Sequence, residues 1–183
     1  MLLKLKERKA IIYGTGLMMI LMIWVLMFAG ELSVYYMIRS VLLIILSYIA
    51  MVFDINTKRI PNVLVLAMII GWLLTVIPMM FYDIETGLPV LTDSLYGLLI
   101  GGGLFLLVYL ISRKGLGGGD VKFMAAAGLY LGLSETVPAI LYGTVLAAVT
   151  GLILIMLKKI NRKDSMPLAP FLFAGIMITV FTK

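Results

Sequence analysis

Two aspartates stand out by the company they keep. Asp54 closes a long apolar run and opens the stretch Asp54-Ile55-Asn56-Thr57-Lys58-Arg59-Ile60-Pro61-Asn62. Asp120 follows a glycine run, in Gly115-Leu116-Gly117-Gly118-Gly119-Asp120-Val121-Lys122. A carboxylate placed in a membrane costs roughly 2.5–3.5 kcal/mol on insertion scales, so each asks for a reason, and a pair asks for a shared one. Two carboxyl groups about 3 Å apart cannot both ionise and hold one proton between them. The ionised member can take a proton from an attacking water while the protonated member donates to a scissile carbonyl oxygen. This is the chemistry of aspartyl proteolysis, and it calls for no metal and no cofactor. Glycines beside one aspartate suit it, because an extended peptide backbone can approach closely there.

The composition removes most competing chemistries. The chain has no cysteine and no histidine, which excludes thiolate zinc sites, a cysteine nucleophile, a His-Glu-x-x-His zinc protease and a serine–histidine pair. Acid–base work falls to carboxylates, lysine or tyrosine.

The elements that must position the aspartates are read from apolar runs. Of 183 residues 63% are hydrophobic and 13% charged, with a mean hydropathy of +1.15, so the solvent for most of the chain is lipid. Spanning stretches of about 20 residues run Ile11–Gly30, Val34–Phe53, Val63–Phe81, Ser94–Ser112, Thr136–Leu157 and Pro167–Phe181, with a short seventh from about Asp120 to Leu133. Ile11–Gly30 lacks a small-x-small cleavage site and is read as a retained helix. Fourteen helical residues rise roughly 21 Å against a hydrocarbon core of about 30 Å, so the short helix begins in the membrane or thins it, with Asp120 at or below the lipid surface.

Charge placement orients the map. With the N-terminus in the cytoplasm, 13 of the 15 basic residues fall inside: Lys4, Lys6, Arg8, Lys9, Lys58, Arg59, Arg113, Lys114, Lys122, Lys158, Lys159, Arg162 and Lys163. Arg39 and Lys183 fall outside, as does an acidic loop Asp83–Asp93. The expectation is one all-α membrane domain over residues 1–183, with seven helices, N-terminus in and C-terminus out. The net charge of +6 is assigned to orientation and anionic lipid, not to nucleic acid. Oligomeric state is left open.

Each feature also has a structural reading. Asp120 after a glycine run could be an N-cap, and Asp54 an interfacial carboxylate paired with Lys58 or Arg59. Arg39 is expected to snorkel outward. Gly101-Gly102-Gly103 reads as close helix packing, Pro167 as a first-turn residue and Pro170 as a local kink. Lys122 is either a cation beside Asp120 or an anchor for the short helix. If the aspartates do act together, Asp120 among free N–H groups at a helix start is expected to begin as the base, and Asp54 at a helix end in apolar surroundings to begin protonated.

Asp-x4-Arg-Ile-Pro-Asn at the end of one helix, then Gly-x-Gly-Asp-Val-Lys opening a later one, resembles the prepilin peptidase family, membrane aspartyl proteases that process type IV pilin and archaellin precursors. Met166-Pro167-Leu168-Ala169-Pro170-Phe171-Leu172 resembles that family's Ile-Pro-Phe-Gly-Pro-Phe segment, with Ala169 in place of the usual glycine. The similarity runs from Tyr48 to about Gly175. It implies Asp54 and Asp120 as the catalytic pair, with Gly117, Gly119, Lys122, Arg59, Pro61, Asn62, Pro167 and Pro170 as motif-supporting or substrate-binding residues. It implies prepilin-like preproteins as partners, with a short basic leader before an apolar helix, cut at the cytoplasmic face of the cell membrane. Larger members carry a cysteine-containing segment and also N-methylate the new terminus; without cysteine this chain is closer to the short, peptidase-only type. Two rivals remain. A presenilin-like or signal-peptide-peptidase-like protease would carry Tyr-Asp and Pro-Ala-Leu where this chain has Phe53-Asp54 and Pro167-Leu168-Ala169. A small transporter or channel component could also use intramembrane aspartates.

Overall fold

A computed structural model describes residues 2–28, 34–112, 115–161 and 166–182. Gly30, Arg113, Lys114, Arg162, Lys163 and Lys183 of the span and charge map lie outside the described residues. Within them the chain is all-helical. Six helices follow in order: α1 (Leu2–Phe28), α2 (Val34–Thr57), α3 (Asn62–Tyr82), α4 (Ile84–Ile111), α5 (Gly118–Met156) and α6 (Ala169–Phe181). Helix is the expected answer for such runs, because lipid offers no partner for a free backbone N–H or C=O. Four of them, α2 to α5, are long and apolar enough to cross a membrane, whereas α6 is a shorter apolar helix. Large apolar side chains such as Leu74, Leu99, Leu110 and Leu152 point outward from α3, α4 and α5, as the surface of a multi-pass membrane protein requires.

Helix ends explain the connections. Lys58, with a left-handed φ of 53°, turns the chain out of α2 while its N–H bonds the Asp54 carbonyl at 2.8 Å. Pro61 then N-caps α3. The expected acidic loop is corrected: Asp83 alone separates α3 from α4, its Oδ1 accepting from Glu85 N at 3.0 Å, and residues 84–93 are helical. An N-capping carboxylate lets the helix start ten residues before the apolar run does.

The longest helix is two pieces. Gly132 in α5 has φ 70° and ψ −173°, a backbone region open essentially to glycine alone. Met124 and Thr136, which a straight helix would separate by about 18 Å, meet at one point of α4. A Cβ on Gly101 would touch the Met124 carbonyl, with Thr136 Cγ2 at 3.3 Å. The chain therefore folds back at Gly132, and residues 118–131 run antiparallel to residues 133–156. Glycines make the packing this close: a Cβ on Gly97 would strike the Gly128 carbonyl, and a Cβ on Gly128 the Gly97 carbonyl. Of the expected packing triplet, Gly101 and Gly102 meet α5, whereas Gly103 faces open space. α4 and α5 share the largest helix–helix interface, and α6 packs on both α5 and α2.

Arg39 corrects another expectation. It does not reach outward; it is only 8% exposed, and its Nη2 donates to the Leu129 carbonyl at 2.6 Å and to Ser94 Oγ at 3.1 Å. A charge in the interior is tolerated where it is hydrogen-bonded, and a carbonyl at a helix end supplies an acceptor that lipid or headgroup would otherwise have to replace.

Candidate active site

Three chain segments converge at one end of the bundle. Asp54 arrives in the last turn of α2, 5% exposed. Its Oδ2 accepts from the backbone N–H of Ala169, the first residue of α6, at 2.9 Å. Asp120 arrives in the first turn of α5 and is half-buried. The N-cap there is Gly117, not Asp120, because the helix opens at Gly118. Asp120 instead folds its carboxyl back toward the backbone N–H of Gly117, as third-position acidic residues do in a reciprocal cap. A Cβ on Gly117 would sit 2.8 Å from Asp120 Oδ2, so any side chain here would have to displace the Asp120 carboxyl.

Both aspartates line one cleft and lie within electrostatic reach of each other. Its first lobe, about 220 Å³, is bordered by Asp54, Lys58, Arg59, Ile60, Asn62, Gly117, Gly118, Gly119 and Asp120. A second lobe, about 380 Å³, shares Asp54, Lys58, Gly117 and Asp120 and adds Gly115, Leu116, Met166, Pro167 and Leu168. Leu116 and Leu168 also border an apolar cavity of about 240 Å³ reaching Phe105 and Ile140. Apolar space thus adjoins the cleft across Leu116 and Leu168.

The supporting residues sort themselves by contact. Lys122 Nζ donates to Asn62 Oδ1 at 3.0 Å, tying the start of α5 to the start of α3; neither sequence alternative for Lys122 included that partner. A Cβ on Gly119 would meet Ile60 at 3.3 Å, so this glycine lets α5 lie against the Ile60 backbone. Pro61 caps α3, and Arg59 is exposed at the cleft mouth. Neither proline sits where expected: Pro170 lies in the first turn of α6, while Pro167 precedes the helix and lines the cleft. Pro170 produces no kink because a first-turn residue has no helical N–H bond to lose.

The assignment of first base to Asp120 loses part of its ground, although Asp54 does lie buried in the last turn of α2 and Asp120 in the first turn of α5. It rested on Asp54 standing at a helix end in apolar surroundings, and α6 adds a helix-start donor there through Ala169. Both carboxyl groups therefore face a helix N-terminus, each favourable to negative charge. Sequence reasoning missed Leu116, Met166 and Leu168 as cleft walls and Ala169 as a donor. Their only signal was adjacency to the glycine run and to the proline-rich segment. Among the described residues no group of three or more His, Cys, Asp or Glu side chains could hold a metal ion.

Comparison with known proteins follows the same residues. A family model described as the type IV leader peptidase family matches residues 40–154, more than half of the chain. The match takes in both aspartates and ends before the proline-rich segment. A prepilin leader peptidase/N-methyltransferase of Escherichia coli K12 is 31% identical over 134 residues, covering 70% of this chain and 56% of that protein. The protein of the same name from Bacillus subtilis 168 is 32% identical over 90 residues, 47% of this chain and 36% of that protein. Leader peptidase HopD of Escherichia coli is 35% identical over 101 residues, 46% of this chain and 59% of that protein. The chain thus covers less than two thirds of each of these relatives. No solved structure matches it.

Proposed function

The chain belongs to the type IV leader peptidase family, and on that premise we propose that it is an intramembrane aspartic endopeptidase removing short basic leaders from prepilin-like precursors. The observation that carries the reading is the shared cleft: Asp54 and Asp120, 66 residues apart in the chain, border the same space. In the proposed reaction one carboxylate takes a proton from water as it attacks the scissile carbonyl, and the other carboxyl group donates to the carbonyl oxygen. Cleavage then returns a proton to the leaving amine, and the two groups exchange roles. The cleft walls support an extended peptide. Gly117 and Gly118 allow backbone approach on one side, residues 166–168 face them without helical bonding, and the adjoining apolar cavity suits the hydrophobic segment after a leader.

The membrane frame belongs to the same proposal. Counting the two antiparallel pieces of α5 separately gives seven crossing segments, with the N-terminus and the aspartates at the cytoplasmic face and the C-terminus outside. Lys58 and Arg59 near the cleft mouth suit that side. Peptide cleavage alone is proposed, with methyl transfer left to the longer relatives.

The test is direct. Purified protein in detergent is incubated with a prepilin-like peptide, and cleavage is followed by mass. Cleavage after the basic leader, lost in both Asp54→Asn and Asp120→Asn, is the expected result. Undiminished cleavage in either variant refutes the dyad, and ion flux without cleavage points to a transporter.

A further inference from the structure

The two helices that carry the aspartates scarcely touch. Among the described residues the direct contact between α2 and α5 is small. Besides the Lys122–Asn62 bond and the Gly119–Ile60 approach at the site itself, the opposite end of the bundle supplies a direct tie between these two helices. Where α5 folds back at Gly132, the first piece ends in carbonyls and the second begins in N–H groups that no continuing helix can pair. A charged side chain from a neighbouring helix takes each end. Arg39 of α2 donates to the Leu129 carbonyl at 2.6 Å, a cation at a helix C-terminus. Asp93 of α4 accepts from Leu133 N at 3.0 Å, an anion at a helix N-terminus, and a Cβ on Gly132 would strike that carboxylate. Both placements match the helix dipole. Ser94, fully buried beside Asp93, accepts from Arg39 Nη2 at 3.1 Å and from Trp72 Nε1 of α3 at 3.2 Å. Four helices are joined at this point.

We propose that Arg39 is a positioning residue for the aspartate pair: its bond to the Leu129 carbonyl sets the axial register of the first piece of α5 against α2. The inference rests on the peptidase reading for its catalytic consequence, although not for its geometry. Arg39 and Asp54 are on one helix, about 22 Å apart along its axis, and Asp120 lies about 14 Å along α5 from Leu129. A charge-assisted bond shorter than the usual neutral one therefore fixes the far ends of two rigid rods whose near ends carry the carboxyl groups. A slip at the arginine displaces Asp120 relative to Asp54, and misplacement of reacting groups by about 1 Å can cost on the order of a hundredfold in rate.

The absence of cysteine makes the geometric test straightforward. Spin labels at Asn56→Cys and Gly118→Cys report the spacing of the two aspartate-bearing ends without any substrate. Asn56 and Gly118 are exposed, and Gly118 has open space where a side chain would go. Arg39→Met is expected to broaden or shift the distance distribution, and Arg39→Lys to restore part of it. In the unlabelled enzyme, Arg39→Met is expected to lower kcat at least tenfold with KM within threefold, again partly rescued by lysine. If Arg39→Met fails to fold, Ser94→Ala, which removes one of the two guanidinium acceptors, carries the same measurements with smaller effects expected. Distance distributions that superimpose on that of the parent overturn the proposal, as does a loss of activity that only follows the folded fraction. Absence of peptide cleavage by the parent protein would sink the peptidase reading while leaving the distance measurement to decide this one.

Discussion

The carboxylate of Asp54 and the backbone N–H of Ala169 meet at 2.9 Å, so a residue in the last turn of α2 also receives the start of α6. One side chain thereby serves the fold and the cleft. The two roles separate on substitution. Asp54→Asn keeps an oxygen able to accept from Ala169 and is expected to abolish cleavage with little change in unfolding midpoint. Asp54→Ala leaves a buried N–H without its partner and is expected to lose a further 1–3 kcal/mol, roughly the desolvation cost of an unsatisfied donor. Denaturant titration in detergent of both variants distinguishes them; equal midpoints would show that Ala169 finds another acceptor.

Gly117 has no Cβ where Asp120 Oδ2 would be 2.8 Å away. Gly117→Ala is therefore expected to push the Asp120 carboxyl from its place and to add one methyl group to the cleft wall. Turnover should fall by about ten- to a hundredfold, with the larger share of the effect in kcat, because a reacting group is displaced. Steady-state kinetics on a prepilin-like peptide reads this, and a rise in KM at constant kcat would argue for a peptide-binding role instead.

The Lys122–Asn62 bond joins the two motif segments at an exposed position. Lys122→Met and Asn62→Ala should each reduce activity a few-fold, and the double variant should be no worse than the more affected single one. A coupling below about 1 kcal/mol is expected at such exposure. Strict additivity in that double-mutant cycle would mean that the contact does no joint work.

Gly97 and Gly103 share a helix but face different surroundings. A methyl group on Gly97 would enter the backbone at Gly128, whereas one on Gly103 meets nothing within 4 Å. Gly97→Ala should destabilise by about 1–3 kcal/mol or more through overpacking, and Gly103→Ala should be neutral or stabilise by about 0.5–1 kcal/mol through helix propensity. Thermal unfolding of the two variants side by side checks the contrast, which a general intolerance of α4 to alanine would erase.

Much of this was legible in the residue order. Apolar runs located most helix ends to within a few residues; α4 starts earlier because Asp83 caps it, and α1 starts at Leu2, nine residues before its apolar run. The break between the fifth and sixth runs was placed between Leu133 and Thr136, close to the observed reversal at Gly132. The two aspartates were legible because carboxylates beside apolar runs are rare and both fell at the same end of the map. What was misread involves partners remote in the chain. Arg39 looked like a surface residue because nothing near it in sequence advertises the Leu129 carbonyl. Asp54 looked deprived of donors because α6 begins 115 residues later.

By itself, the order of side chains determined the apolar character of the long helices, the class of fold, and which acidic groups could carry chemistry. These follow from local properties: hydropathy over some twenty residues, the rarity of charge within it, and glycine or proline at its borders. Only the folded chain decided which free backbone groups at helix ends are taken up by which side chains. It assigned Ala169 to Asp54, Leu129 to Arg39 and Leu133 to Asp93 because each orphaned N–H or C=O in an apolar medium must find a partner in space. That demand carries no information about where along the chain the partner lies.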